Sequence, residues 1–209
     1  MARPRGVEDA VILRAAVEVM GRVGPTGLTL AAVAREVGLV PGTLVQRFGS
    51  KKGLVLAVAE QSAREADGLP GRAREGGASP LDALDALLVR SAAPMATPEN
   101  FANHLAFLCA DLADPELREH ALTVHRAQGR AIEALLAEAV ATGALRAGAD
   151  PVALTESVQA ATAGAGLNWA LDRQGTLADR IRRELSRVLS PHLPPAPDHR
   201  HPHDEGTCR

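Results

Sequence analysis

Thr43, Gln46 and Arg47 lie together in the stretch PGTLVQRF at 41–48, and their side chains suit hydrogen bonding to nucleic acid. A glutamine amide can form two bonds to adenine, an arginine guanidinium two to guanine, and a threonine can bond a phosphate or touch a thymine methyl. Gly42 allows close approach of backbone, and Lys51 adds positive charge beside a helix start that can itself hold a phosphate.

Reading needs those side chains on one exposed face of a short, rigid helix, and the flanking residues supply one. Thr29 offers an N-cap hydroxyl, and Leu30, Val33, Ala34 and Val37 recur at helical spacing. Gly38 can take the left-handed conformation that closes this helix. Pro41 suits the first position of the next, because the N–H it lacks would be unpaired there. Leu44 and Phe48, four apart, form the inner face, so Pro41, Gly42, Thr43, Gln46 and Arg47 face outward. Two short helices about a glycine-centred turn, followed by Ser50 and Lys51 opening a third, make the layout of a helix-turn-helix.

The segment resembles the N-terminal DNA-binding domain of the tetracycline-repressor (TetR) family. Thr29, Val33, Ala34, Val37, Gly38, Gly42, Thr43, Leu44, Phe48, Lys51 and Leu54 stand at the matching places, and the resemblance covers about a quarter of the chain. Three positions depart from the family pattern: Val40 replaces a hydroxyl N-cap, Val45 replaces a tyrosine that supports a phosphate contact, and Arg47 replaces a histidine or tyrosine. The set expected to contact DNA is Thr29, Pro41, Gly42, Thr43, Val45, Gln46, Arg47 and Lys51, with specificity resting chiefly on Gln46 and Arg47.

Charge points the same way without any motif. Residues 1–53 hold eight Lys/Arg against four acids, a balance of +4, so the remainder is −6 within a chain of net charge −2. A basic head on an acidic body puts the phosphate-seeking surface at one end. Arg3 and Arg5 could form an arm toward the DNA, or merely a solvated basic terminus.

The 209 residues contain no tyrosine and are rich in alanine, leucine and arginine, which predicts an all-α chain. The expected organisation is a three-helix head at 1–53, a helical domain at 54–190 and a disordered tail at 191–209, with about nine helices in all. Helices are read at Val7–Val23, ended by GPTG at 24–27, and from Lys51 to about Asp67, followed by a Gly/Pro/Arg-rich loop at 68–78. Five more are read at Pro80–Ala93, Pro98–Leu112, Pro115–Ala141, Pro151–Leu171 and Thr176–Leu189. No apolar run reaches the length of about 20 residues that spans a bilayer, and no signal-like stretch opens the chain, so the cytoplasm is the expected compartment. Two cysteines, Cys109 in an apolar pattern and Cys208 in the tail, make no disulfide framework.

The family resemblance implies two roles for the second domain: holding a small-molecule effector and forming a homodimer on double-stranded operator DNA. Met95, Phe101, His104, Phe107, Leu108 and His125 are the candidate ligand-binding residues, with Asn103 beside them, although Phe101, Leu105, Leu108 and Leu112 also have the spacing of an ordinary core stripe. Ala160, Gly164, Trp169, Ile181 and Leu185 are the candidate dimer residues, small ones allowing close helix approach and Trp169 anchoring the edge; packing within one chain would use the same stripes.

Three other readings are weaker. His199, His201, His203 and Asp204 invite a metal but lack a rigid scaffold, so no metal or cofactor is assigned. Gly164-Ala-Gly166 is no dinucleotide fingerprint because no strand precedes it. No nucleophile and base are assembled; a helical enzyme would need polar groups converging in the pocket, with His104 and His125 the obvious candidates. A helical ligand-binding protein that has lost specific DNA binding is the alternative made imaginable by Val40 and Val45.

Overall fold

The computed structural model describes residues 7–66, 68–69, 71 and 79–195. Arg3, Arg5, the tail histidines, Asp204, Cys208 and most of the 68–78 loop lie outside those residues. Among the described residues there are nine α-helices and no strand.

The head begins with α1, Asp9–Gly27, whose buried face is Ile12, Ala16 and Val19. The expected stop at 24–27 is a break rather than an end: Gly24 takes φ 67 and ψ −177, and Pro25 opens one further helical turn. Helix α2, Leu30–Glu36, starts where the Thr29 hydroxyl accepts the Ala32 N–H at 3.0 Å. It closes through Gly38 at φ 67, with the Leu39 N–H returned to the Ala34 carbonyl at 2.8 Å.

Helix α3, Pro41–Phe48, has Val40 at its N-cap with no side-chain bond to the first turn, and Val40 is 69% exposed. Here Val40→Ser should supply the missing acceptor and raise stability by about 0.5–1 kcal/mol. Urea unfolding at matched slope would register it; an unchanged midpoint would mean that the first turn of α3 is already satisfied.

Helix α4, Lys51–Ala66, opens with the Ser50 hydroxyl accepting the Gly53 N–H at 3.1 Å. Leu54 and Val58 of α4 are buried in one cluster with Ile12, Val19, Val33, Ala34 and Leu44. A boundary after residue 53 therefore cuts through a packed core, because α4 completes the head before it leaves it.

In the body, α5 spans Pro80–Ala92, α6 Pro98–Ala113, α7 Pro115–Ala141 and α8 Pro151–Asp172. Each has proline at its first position, behind a side chain that accepts from the first turn: Ser79, Thr97, Asp114 and Asp150. Helix α9, Leu177–Leu189, is capped by Thr176. Leu84, Leu87, Ile132, Leu135, Leu136, Val158, Trp169 and Ile181 form a second buried cluster. The chain continues in order past Pro191: a 3-10 turn at Ser190–His192 is held by the Arg146 N–H on the His192 carbonyl at 2.8 Å. No helix among the described residues is long and apolar enough to cross a membrane.

Candidate nucleic-acid interface and the cavity behind it

Helix α3 turns inward through Leu44, its one buried residue, which is 0% exposed. Burial of that side chain fixes the rotation of the helix and leaves Pro41, Gly42, Val45 and Gln46 exposed, with Thr43 half-buried. Val45 is 50% exposed, so this face carries an apolar side chain where a hydrogen-bonding one is usual for the resembled family. Gln46 makes no side-chain bond among the described residues and is available to a base edge.

Arg47 is placed differently from its expected role. Its Nη1 donates to the Val7 carbonyl at 2.6 Å and to the Asp9 carboxylate at 2.9 Å. A guanidinium held by two acceptors at the start of α1 ties α3 to that helix and has less freedom to reach a guanine. Lys51 likewise donates to the Pro25 carbonyl, and Arg22 pairs with Glu36 at 2.5 Å. The head's positive balance is thus partly committed internally, whereas Arg14 and Arg35 are exposed with no ion pair among the described residues. Thr29, expected at the DNA, serves as the cap of α2.

Behind the head, a cavity of about 630 Å³ lies between α5, α6, α7, α8 and α9. Met95, Phe101, Leu108 and His125 line it as expected, together with Leu88 and Ile132. His104 and Phe107 do not. Phe107 is buried in the head's cluster, and a Cβ on Gly21 of α1 would stand 2.8 Å from His104 Nε2. The reason is helical geometry: Phe101 and Leu108, seven apart, stand on the cavity side of α6, Asn103 and Phe107, four apart, stand on the side toward α1, and His104 lies between them, against Gly21. Burial pushes the His104 imidazole below its ordinary pKa, opposed by a backbone hydrogen bond at Pro94.

Asn103 adds a third tie on that side, donating to the Gly21 carbonyl at 2.8 Å. The close approach requires glycine, since a Cβ on Gly24 would come within 2.6 Å of Asn103 Oδ1. A further link joins Lys52 of α4 to Asp114, the cap of α7, at 2.7 Å. The Lys52 hydrogen bond holds the Asp114 carboxyl below the usual carboxylate range, and Asp114 raises the Lys52 ammonium. A smaller cavity of about 340 Å³ lies under α4 and shares Leu108, His125 and Gln128 with the larger one.

Three of the five candidate dimer residues are committed to the chain's own core. Trp169 is 3% exposed, Ile181 2% and Leu185 8%. The Trp169 indole N–H donates to the Gly175 carbonyl at 3.1 Å and its ring meets Phe101 edge-on. Packing within the chain takes these side chains because α9 folds back along α8. Ala160 remains exposed and Gly164 half-buried, on a face that also shows Leu167 and Leu171, 49% and 75% exposed.

Two expectations about α6 also fail. Cys109, whose apolar pattern in the sequence suggests burial, is exposed, and Leu105, Leu108 and Leu112 are 37%, 44% and 56% exposed rather than core. Phe107 is the single buried residue of α6 and packs on the head's cluster, whereas Phe101 of the stripe packs against the body's cluster and Leu108 lines its cavity. Among the described residues no three His, Cys, Asp or Glu side chains are grouped to hold a metal.

Residues 12–58 match the family model for bacterial regulatory proteins of the tetR family, a span that runs from Ile12 to Val58 of the head's core and leaves out only Phe107 of its buried residues. No curated protein matches the chain. Solved structures do. SmeT of Stenotrophomonas maltophilia, the repressor of the multidrug efflux pump SmeDEF, is 19% identical, covering 91% of this chain and 93% of its own, with a TM-score of 0.63. Regulatory protein TetR from Rhodobacter sphaeroides is 21% identical over 89% and 98%, at 0.68. FadR of Bacillus subtilis, solved with stearoyl-CoA, is 18% identical over 88% and 98%, at 0.59. At such identities these neighbours show a shared fold, and the family likeness rests on the head, residues 12–58. A head that matches the tetR family model over residues 12–58, with Leu44 buried so that it presents α3, stands on a fold shared along nearly the whole length with bacterial regulators such as SmeT and TetR.

Proposed function

We propose that the protein is a repressor that binds a palindromic operator as a homodimer in the cytoplasm and releases it when a small molecule enters the 630 Å³ cavity. The observation that carries this reading is helix α6. Phe101 and Leu108 line the cavity, whereas Asn103 and Phe107 of the same helix bind the carbonyl of Gly21 and fill the head's core. A ligand that displaces α6 must disturb α1, and through Arg47 the rotation of α3. The reading is of binding rather than catalysis: His104 and His125, the pair singled out in the sequence, face different compartments.

A single α3 contacts too few bases for specificity, whereas two heads about 34 Å apart, or a multiple, read both halves of a palindrome. The dimer seam best supported is the exposed face of α8, with Ala160, Gly164, Leu167 and Leu171 at spacings of three and four. A second reading, a ligand-binding protein without specific DNA recognition, draws on exposed Val45 and the tethered Arg47.

Selection from random oligonucleotides decides between them. The repressor reading expects an enriched inverted repeat, affinity that falls steeply with salt, and a loss of about 1–3 kcal/mol for Gln46→Ala. Arg47→Ala should weaken all sequences alike, because its tie is to α1. No enriched sequence at moderate salt would sink the repressor reading in favour of the second.

A further inference from the structure

The polar groups on the cavity wall differ in how they are used. The Ser91 and Thr162 hydroxyls donate to carbonyls of their own helices, Leu87 at 2.9 Å and Val158 at 2.7 Å. The Gln159 amide donates to the His125 carbonyl at 3.2 Å, bridging α8 to α7. Glu156 has no hydrogen bond or ion pair among the described residues. Among the described residues that line the cavity there is no lysine or arginine, and Glu156 and His125 are the only titratable side chains.

Such a wall discriminates by charge. An anionic ligand would leave water for an apolar space, meet no fixed cation and lie near a carboxylate, so its desolvation would go uncompensated. A cation would lose the same hydration but gain the attraction of Glu156, and the wall includes Phe101, an aromatic ring of the kind that attracts positive charge. The apolar remainder, Leu87, Leu88, Met95, Ile132 and Ile181, suits a bulky hydrocarbon body. The volume lies within the range of about 300–1,000 Å³ usual for small-molecule sites.

We propose that the effector of this cavity is a lipophilic cation, an apolar body bearing one positive charge set against Glu156. The inference rests on the reading of the cavity as the effector site. It is tested with tetraphenylphosphonium and tetraphenylborate, ions of nearly the same size and shape but opposite charge. Trp169 is the chain's one tryptophan and touches Phe101 on the wall, so its fluorescence reports occupancy, and calorimetry supplies the affinity.

The phosphonium should bind the full-length protein at one site per chain, and the borate at least about tenfold more weakly, a difference of 1.4 kcal/mol. Glu156→Gln should remove most of that preference while leaving the melting temperature unchanged, since the residue is exposed. Ala163→Phe, which fills the wall between α8 and the cavity, should block both ions. Equal binding of the two ions, binding of neither, or an undiminished preference in Glu156→Gln would overturn the proposal. Failure of the repressor reading is separate: phosphonium bound in the Glu156-dependent way, with no enriched operator in the selection, would leave the ligand class standing and remove the regulator.

Discussion

Leu44→Ala should detach the reading helix and abolish operator binding while the body stays folded. Leu44 is 0% exposed and is the one fully buried residue of α3, and the half-buried Phe48 is the other side chain by which this helix packs on the head's cluster. Truncating a fully buried leucine costs about 2–5 kcal/mol, the transfer of its methyl groups plus the cavity left behind. A two-turn helix has almost no stability of its own in water, so α3 depends on this packing. Loss falls on the head because the buried clusters of head and body are distinct, with Phe107 the body residue that joins the head's. Hydrogen exchange of peptides covering α2 and α3 should accelerate, while the denaturation midpoint read by Trp169 fluorescence shifts little. Equal shifts in both probes would show that Phe107 joins the two clusters into one cooperative unit, and the prediction of independent loss would be wrong.

Trp169→Ala should destabilise the body by about 3–5 kcal/mol, the range for removing a buried large aromatic. The ring is 3% exposed and packs against Phe101 with centroids 6.5 Å apart at 88°, an edge-on pair that adds about 0.5–1.5 kcal/mol beyond burial. The indole N–H also closes the α8 to α9 turn at the Gly175 carbonyl, where Arg173 at φ 55 and Gly175 at φ 69 reverse the chain. Trp169→Phe keeps most of the packing and loses that bond, so it should cost only about 1–2 kcal/mol. Urea unfolding followed by far-ultraviolet circular dichroism measures both. A loss under about 1 kcal/mol in the alanine variant would mean that α9 is held chiefly by Ile181 and Leu185 and that the turn forms without the indole.

The two variants probe the parts of the fold that differ most in legibility. The turn of the head is written in local residues: Thr29 caps α2, Gly38 closes it in the left-handed region, and Pro41 opens α3. Each acts through its own backbone, within a few residues, so its effect is the same in any surroundings. The body's helix starts are legible for the same reason, since a capping side chain followed by proline both accepts the first free N–H and presets the backbone.

The break in α1 was less accessible. GPTG predicts an interruption, yet the chain resumes a helical turn after Gly24 because Asn103 of α6 packs against that glycine and Leu28 is buried in the head. The start of α6 was legible, but the facing of its residues was not. Its apolar residues are spread around the helix, so periodicity cannot say whether Phe101 or Phe107 faces the cavity; the answer depends on which neighbours lie on each side. Arg47 failed for a related reason. The chemistry of a guanidinium is the same whether it meets a guanine or Val7 and Asp9, and only the return of α1 to within 2.6 Å of it selects the second.

What the sequence by itself determined is therefore the inventory of helices, the reading motif with Leu44 inward and Gln46 outward, and the separation of a basic head from an acidic body. Only the tertiary structure decided that Trp169, Ile181 and Leu185 belong to one chain's core, that His104 and Phe107 brace the head, and that Glu156 stands on a cavity wall without a partner among the described residues. The physical reason is range. Caps, glycine turns and proline starts are settled by forces acting within a few residues along the chain, whereas burial and pairing depend on surfaces supplied by segments far away in sequence.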